Sequence, residues 1–282
     1  MKDNLKFSRR TFLSGVAAAG AGTAWGAVRM SGMNHLEEVF SPEINQTTGK
    51  TNDPVLVKRL IPRPKHISIN DNEEVVFDEN LSLEIQIKET DNQVKKKVSE
   101  IFNQYFNVTP TIRVVQKRDT PAGEAYKVKA TGSILTLSAN NFAGIRYALC
   151  TLRQLAEMHS STGELAHYSI PETEINDEPA MAFRGLHLCW FPETRAIQIE
   201  RYIRWAAYYK FNHIIIEFWA TFPFATHPAF CWEGYTATPG DIRRMVKLAK
   251  ELGVVLIPQL NIFGHASGSR GGSGKHAPLD YH

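Results

Sequence analysis

The run Leu81-Ser82-Leu83-Glu84-Ile85-Gln86-Ile87 alternates apolar and polar residues, the period of a strand with one buried face. Shorter runs at Thr111–Val115, Tyr126–Ala130 and Ile134–Leu137 predict further strands, the last two joined through a turn at Gly132. Two helical stripes interrupt them. One is Val94, Val98, Ile101, Phe102 and Tyr105, with Asp91 as the candidate N-cap; the other is Phe142, Ile145, Leu149, Leu152 and Leu155. Two helices on one face of a small antiparallel sheet make an α+β layer arrangement. The stripes read as core, and nothing in this stretch carries a catalytic pattern.

From about Glu178 the pattern changes. Phe183–Cys189 reads as a strand, and Ala196–Lys210 as a helix with Ile199, Tyr202, Ile203 and Ala206 on one face. His213–Trp219 follows as a strand, whose run Ile214-Ile215-Ile216 suits a strand covered on both faces. Pro239–Leu252 is a helix with Thr238 as N-cap and Ile242, Met245, Val246 and Ala249 on its apolar face; Gly253 ends it. Val254–Leu260 is a third strand. This βαβαβ order implies parallel pairing with right-handed crossovers. A doubly wound sheet and a (β/α)8 TIM barrel both fit. The first strand lacks a glycine-rich phosphate loop. The loops after the strands are long and rich in aromatic and polar residues, which favours the barrel.

The N-terminus changes the picture of where the protein works. Ser8-Arg9-Arg10-Thr11-Phe12-Leu13 matches the twin-arginine export pattern, and an Ala/Gly-rich apolar stretch follows to about Ala24. Residues 1–27 are therefore expected to be a signal peptide, with an uncleaved anchor as the alternative, and residues 28–53 a polar linker. The expected address is periplasmic or extracellular, with the twin-arginine machinery as an export partner. Net charge is +3, part of it in the first ten residues, so composition gives no case for nucleic acid. Cys150, Cys189 and Cys231 are too few and too scattered for a disulfide framework or a zinc site; free, partly buried thiols are expected, with Cys189 and Cys231 meeting at one end of a barrel as the alternative.

Several segments carry a resemblance. Leu60-Ile61-Pro62-Arg63-Pro64 and Ala143-Gly144-Ile145-Arg146-Tyr147-Ala148-Leu149 resemble the opening and close of the domain that precedes the barrel in family 20 β-N-acetylhexosaminidases. Asn176-Asp177-Glu178-Pro179 with Phe183-Arg184-Gly185-Leu186-His187-Leu188 resembles the start of that family's barrel. Tyr208-Tyr209-Lys210-Phe211-Asn212 and Leu256-Ile257-Pro258-Gln259-Leu260-Asn261 with Phe263-Gly264-His265-Ala266 resemble later landmarks. The resemblance spans about Leu60 to His282. It implies an α+β domain over 54–177 and the first three βα units of a TIM barrel over 178–282.

It also implies a chemistry. Family 20 departs from the two-carboxylate scheme of most glycosidases: the sugar's own 2-acetamido oxygen attacks the anomeric carbon, a Glu protonates the leaving oxygen and an adjacent Asp orients the acetamido group. No metal and no organic cofactor is implied. The expected partner is an amino-sugar glycan, and the oligomeric state is open. The matching Asp-Glu pair is expected beyond His282, so no catalytic residue is assigned, and the chain is expected to be a fragment, inactive alone, that folds its front part and holds its barrel part loosely.

The remaining site residues are supporting ones. His265 is a candidate helper of the catalytic carboxylates or a loop histidine. Trp219 stacks on a sugar face or packs the rim, and Glu217 lies beside it near the end of the second strand. Glu193 and Arg195 bind hydroxyls or pair with each other. His187 is read as a barrel-interior residue. Three departures point to a divergent branch: Cys189-Trp190-Phe191-Pro192-Glu193-Thr194-Arg195 stands where the family has an Asp shortly followed by a substrate-gripping Arg, so Arg195 lies later than expected, Glu217 and Trp219 stand in the stretch of its paired histidines, and Phe263 replaces a Pro. An α-glucuronidase-like hydrolase and a non-catalytic carbohydrate-binding protein are the alternatives.

Overall fold

The computed structural model describes residues 59–89, 92–160, 166–228, 231, 234 and 237–260. The signal and linker segments, Asp91 and His265 lie outside the described residues. Two sheets, each with its own pair of helices, make a mixed α/β architecture.

The first sheet contains β1 (His66–Phe77), β2 (Ser82–Ile87), β3 (Thr111–Gln116), β4 (Tyr126–Thr131), β5 (Ile134–Ala139), β6 (Glu157–His159) and β7 (His167–Asp177). Their order is β1-β7-β4-β5-β2-β3, with β6 also paired to β7. The four strands marked by alternation all form. The sheet is mixed, not purely antiparallel, because β2 runs parallel to both β3 and β5. The chain reaches β3 through α1 (Val94–Phe106), and it reaches β5 after α1, β3 and β4, so both partners of β2 can run in its direction. Three strands escape the pattern. β1 shifts register between Asn70 and Glu74, and such an irregularity breaks the two-residue period. β7 carries Pro171 in mid-strand, and β6 has three residues.

Helices α1 and α2 (Phe142–Leu155) lie against the apolar side. Their facing residues Val98, Phe102, Leu149 and Leu152 are fully buried with Leu83, Ile85, Val128 and Leu137 from the strands. The α1 N-cap is Gln93, with no side-chain cap bond. Gly144 is fixed by packing: a Cβ there would lie 2.7 Å from the Ala139 Cβ and 2.8 Å from the Ala125 carbonyl oxygen. The glycine of the Ala-Gly-Ile-Arg-Tyr segment thus sets how closely α2 approaches the sheet.

The second sheet has order β10-β9-β8, all parallel: β8 (Gly185–Trp190), β9 (His213–Phe218) and β10 (Val255–Gln259). Helices α3 (Ala196–Tyr208) and α4 (Pro239–Glu251) connect them, so the βαβαβ reading holds. Two face assignments change. On α3 the buried residues are Ile199, Ile203, Ala206 and Ala207, while Tyr202 is 42% exposed. On α4 they are Met245, Leu248 and Ala249, while Val246 is 52% exposed. In both cases the displaced residue lies one position from a buried one, about 100° around the helix. Thr238 caps α4 as expected: its hydroxyl accepts from the Asp241 N–H, and Asp241 accepts from the Thr238 N–H.

A buried polar network ties the sheets together. Lys210 follows α3 in a left-handed conformation (φ 63°), and its Nζ donates to the Tyr126 hydroxyl (2.8 Å) and to Asp177 Oδ2 (3.3 Å). Tyr126 donates to Asp177 at 2.8 Å. Arg184 donates to Glu124, the Tyr147 hydroxyl and the Lys210 carbonyl. Arg146 reaches across from α2 to the Ala207 carbonyl at the end of α3 (2.8 Å), where a cation also complements the helix dipole. Burial lowers the Lys210 pKa, partly offset by Asp177, and burial raises that of Tyr126.

Candidate functional site at the strand ends

Alternation in the second sheet separates two faces. Leu186, Leu188, Trp190, Ile214, Ile216 and Phe218 pack with α3 and α4. The residues between them, His187, Cys189, Ile215 and Glu217, occupy the other face. Register places Cys189 opposite Glu217. Glu217 Oε2 lies 3.1 Å from His187 Nε2 and accepts from Cys189 Sγ at 3.5 Å. The Glu217 side chain is 5% exposed and that of His187 45%. A buried carboxylate is costly unless paired and hydrogen-bonded, and these two neighbours supply that compensation.

Just past the strands, aromatic rings form the rim. Trp219 is half-buried with its ring 4.8 Å from that of Phe191, and Trp190 stacks on Phe218 at 5.5 Å. The Trp190 indole N–H donates to the Thr194 carbonyl, and Thr221 donates to the Trp190 carbonyl, fixing the loops after β8 and β9. Glu193 and Arg195 are exposed. The Arg195 N–H donates to Gln198 Oε1 at the start of α3, so its backbone serves as a helix cap. Cys150, Cys189 and Cys231 are free thiols. Asp177, at the N-terminal side of the second sheet, belongs to the junction network and not to this cluster.

The grouping of His187 with Glu217 was hidden in the sequence, where 30 positions separate them; only the strand register brings them together. A groove of about 600 Å³ lies on the first sheet and is lined by Arg63, Lys65, His66, Ser68, Glu174 and Asn176, among others. One of its ionic groups is committed locally: Lys65 pairs with Glu178 at 2.5 Å, and the Lys65 backbone N–H donates to Asp177. The strand-end cluster instead concentrates groups with chemistry.

Residues 57–178 match the family model "Glycosyl hydrolase family 20, domain 2". Two β-hexosaminidases are similar to the chain. That of Porphyromonas gingivalis is 26% identical over 162 residues, 51% of this chain and 21% of its own length. That of Vibrio furnissii is 23% identical over 236 residues, 73% of this chain and 38% of its own. Residues 57–178 are thus similar to a family 20 glycosyl hydrolase domain, and the chain is similar to β-hexosaminidases.

Solved family 20 structures share the fold. The exo-β-N-acetylglucosaminidase of Vibrio harveyi, in complex with N-acetylglucosamine, superposes with a TM-score of 0.59 at 21% identity, over 74% of this chain and 37% of that one. The β-N-acetylhexosaminidase of Streptomyces coelicolor gives 0.61 at 18%, over 74% and 47%. The chain thus spans less than half of each of these relatives. The family 20 match ends at residue 178, where the strand-and-helix alternation begins.

Proposed function

We propose that this chain is part of a glycoside hydrolase of the β-N-acetylhexosaminidase type, acting on terminal N-acetylhexosamine residues by the substrate-assisted route. The observation that carries the proposal is the combination of a family 20 domain 2 match with a parallel βαβαβ sheet in a chain whose fold resembles solved structures of that family. In this reading β8, β9 and β10 are the first three strands of a TIM barrel, and substrate meets their C-terminal ends. Support for the barrel comes from what is left uncovered. Among the described residues β8 and β10 pair on one side only, and Tyr202, Trp205 and Val255 are exposed where further strands and helices of a barrel would pack.

Within that reading Trp219 stacks on a sugar face, Glu217 holds the cluster at the floor of the site, and Glu193 and Arg195 contact hydroxyls at the rim. His265, which follows β10 in the sequence, assists the catalytic carboxylates. The proton-donating carboxylate is assigned to a segment outside the described residues. Residues 1–27 direct export through the twin-arginine route; a reporter fused behind them should require the twin-arginine pair for export, and export with both arginines replaced by lysine would remove this assignment.

Binding and turnover measured together test the reading. The protein should bind an N-acetyl-β-glucosaminide in preference to a glucuronide, and Trp219→Ala should weaken that binding. Preference for the glucuronide would move the protein to the α-glucuronidase type. Binding of neither sugar would overturn the proposal.

A further inference from the structure

We infer that His187, Cys189 and Glu217 form a mononuclear binding site for a divalent transition metal, with zinc the best match. The three donor atoms, one imidazole nitrogen, one thiol sulfur and one carboxylate oxygen, all lie within 4.8 Å of one another. In a tetrahedral zinc site, bond lengths of about 2.1 Å to nitrogen or oxygen and about 2.3 Å to sulfur place donors about 3.4 Å (N to O) and about 3.6 Å (S to O) apart. The corresponding separations here are 3.1 Å and 3.5 Å. Those two pairs would need to open by only tenths of an ångström, while the imidazole nitrogen and the sulfur, within 4.8 Å of each other, would close toward the separation of about 3.6 Å that a shared ion sets.

The backbone explains why the donors are already in place. His187 and Cys189 stand two residues apart on one face of β8, and Glu217 faces Cys189 across the parallel register with β9. All three side chains thus start from paired strands rather than from loops, which suits a preorganised site. A mixed sulfur, nitrogen and oxygen donor set fits zinc better than magnesium or calcium, which prefer oxygen alone. Three protein donors leave a fourth position open, and the half-exposed His187 shows that solvent reaches this face.

The arrangement also argues against activation of Cys189 as a nucleophile. A thiol relay places the imidazole next to the sulfur with the carboxylate behind it. Here the carboxylate sits between the two, in contact with both. That order suits convergence on one ion. The site does not depend on the hexosaminidase reading, because it is built from donor geometry alone.

Calorimetric titration of the full chain with Zn²⁺ tests it, paired with Co²⁺ absorption spectra. One zinc per chain should bind, and bound cobalt should show a thiolate-to-metal charge-transfer band. The near-isosteric variants Glu217→Gln and Cys189→Ser should each lose more than about tenfold in affinity, and Cys189→Ser should also lose the band. Cys231→Ser should keep both. No zinc uptake, or uptake equally strong in Glu217→Gln, would overturn the assignment and leave the trio as a hydrogen-bonded cluster around a buried carboxylate. The titration contains no sugar, so its failure would leave the glycosidase reading standing.

Discussion

The two sheets solve the same problem differently. In the first, one face is packed under α1 and α2, and the other carries ordinary solvated residues such as Lys127 and Lys129 on β4. In the second, one face is packed under α3 and α4, but the opposite face holds a buried glutamate beside a histidine and a cysteine. A solvated face needs no special chemistry. A buried carboxylate with chosen neighbours does, because its desolvation must be offset. The comparison separates a scaffold from a working surface.

The strongest way to break this comparison is to attack the scaffold. Phe102 is fully buried between Phe77 and Phe106, with ring centroids 5.5 Å and 4.6 Å away. Phe102→Ala should cost about 4 kcal/mol of stability in chemical denaturation. The mirror experiment is Trp205→Ala, whose side chain is 45% exposed on α3; it should change stability by less than about 0.5 kcal/mol.

Next in size is the junction. Asp177→Asn leaves the Lys210 ammonium buried beside a neutral partner, and the loss should be about 3 kcal/mol. A smaller loss, about 1 kcal/mol, is expected for Thr238→Ala, which removes the hydroxyl that caps α4. If the two sheets unfold as one unit, both variants will shift a single transition; two transitions, with Thr238→Ala moving only one of them, would separate the sheets into independent folding units.

The junction also sets a dependence on pH. Burial raises the pKa of Tyr105, Tyr126, Tyr147 and Tyr208 above the usual 10.0. Above about pH 10 the unfolded chain releases these protons while the folded chain keeps them, so the stability they confer falls as pH rises. Lys210, with a lowered pKa, acts in the opposite direction: the folded state binds its proton less well, so its contribution improves as pH rises toward 10.5. Four tyrosines against one lysine give a net alkaline loss. Tyr126→Phe should shrink that loss in denaturation curves recorded between pH 9 and 11, and an unchanged pH dependence would remove Tyr126 from the explanation.

Much of the fold was legible because burial writes itself as periodicity. Leu83, Ile85 and Ile87 alternate, and Val94, Val98 and Phe102 recur at helical spacing, since each period places them on one buried face. β1 and β7 were not legible, because a register shift and Pro171 interrupt the alternation. The parallel pairing of β2 with β5 depends on where the chain returns, which no local pattern encodes. Glu217 and Trp219 were visible as polar and aromatic residues at a strand end. That His187, Cys189 and Phe191 are their neighbours became visible only through the register of β8 against β9 and the packing of the rim. The Arg146 and Tyr147 of the Ala-Gly-Ile-Arg-Tyr segment turned out to be ties between the sheets.

The most direct test of the division between scaffold and working surface compares one glutamate from each sheet. Glu174 lines the wide groove of the first sheet, and Glu217 anchors the cluster of the second. N-acetylglucosamine affinity should fall at least about tenfold, or about 1.4 kcal/mol, in Glu217→Gln and stay unchanged in Glu174→Gln. The opposite outcome, with affinity lost in Glu174→Gln and retained in Glu217→Gln, would contradict the account and move the sugar site to the first sheet.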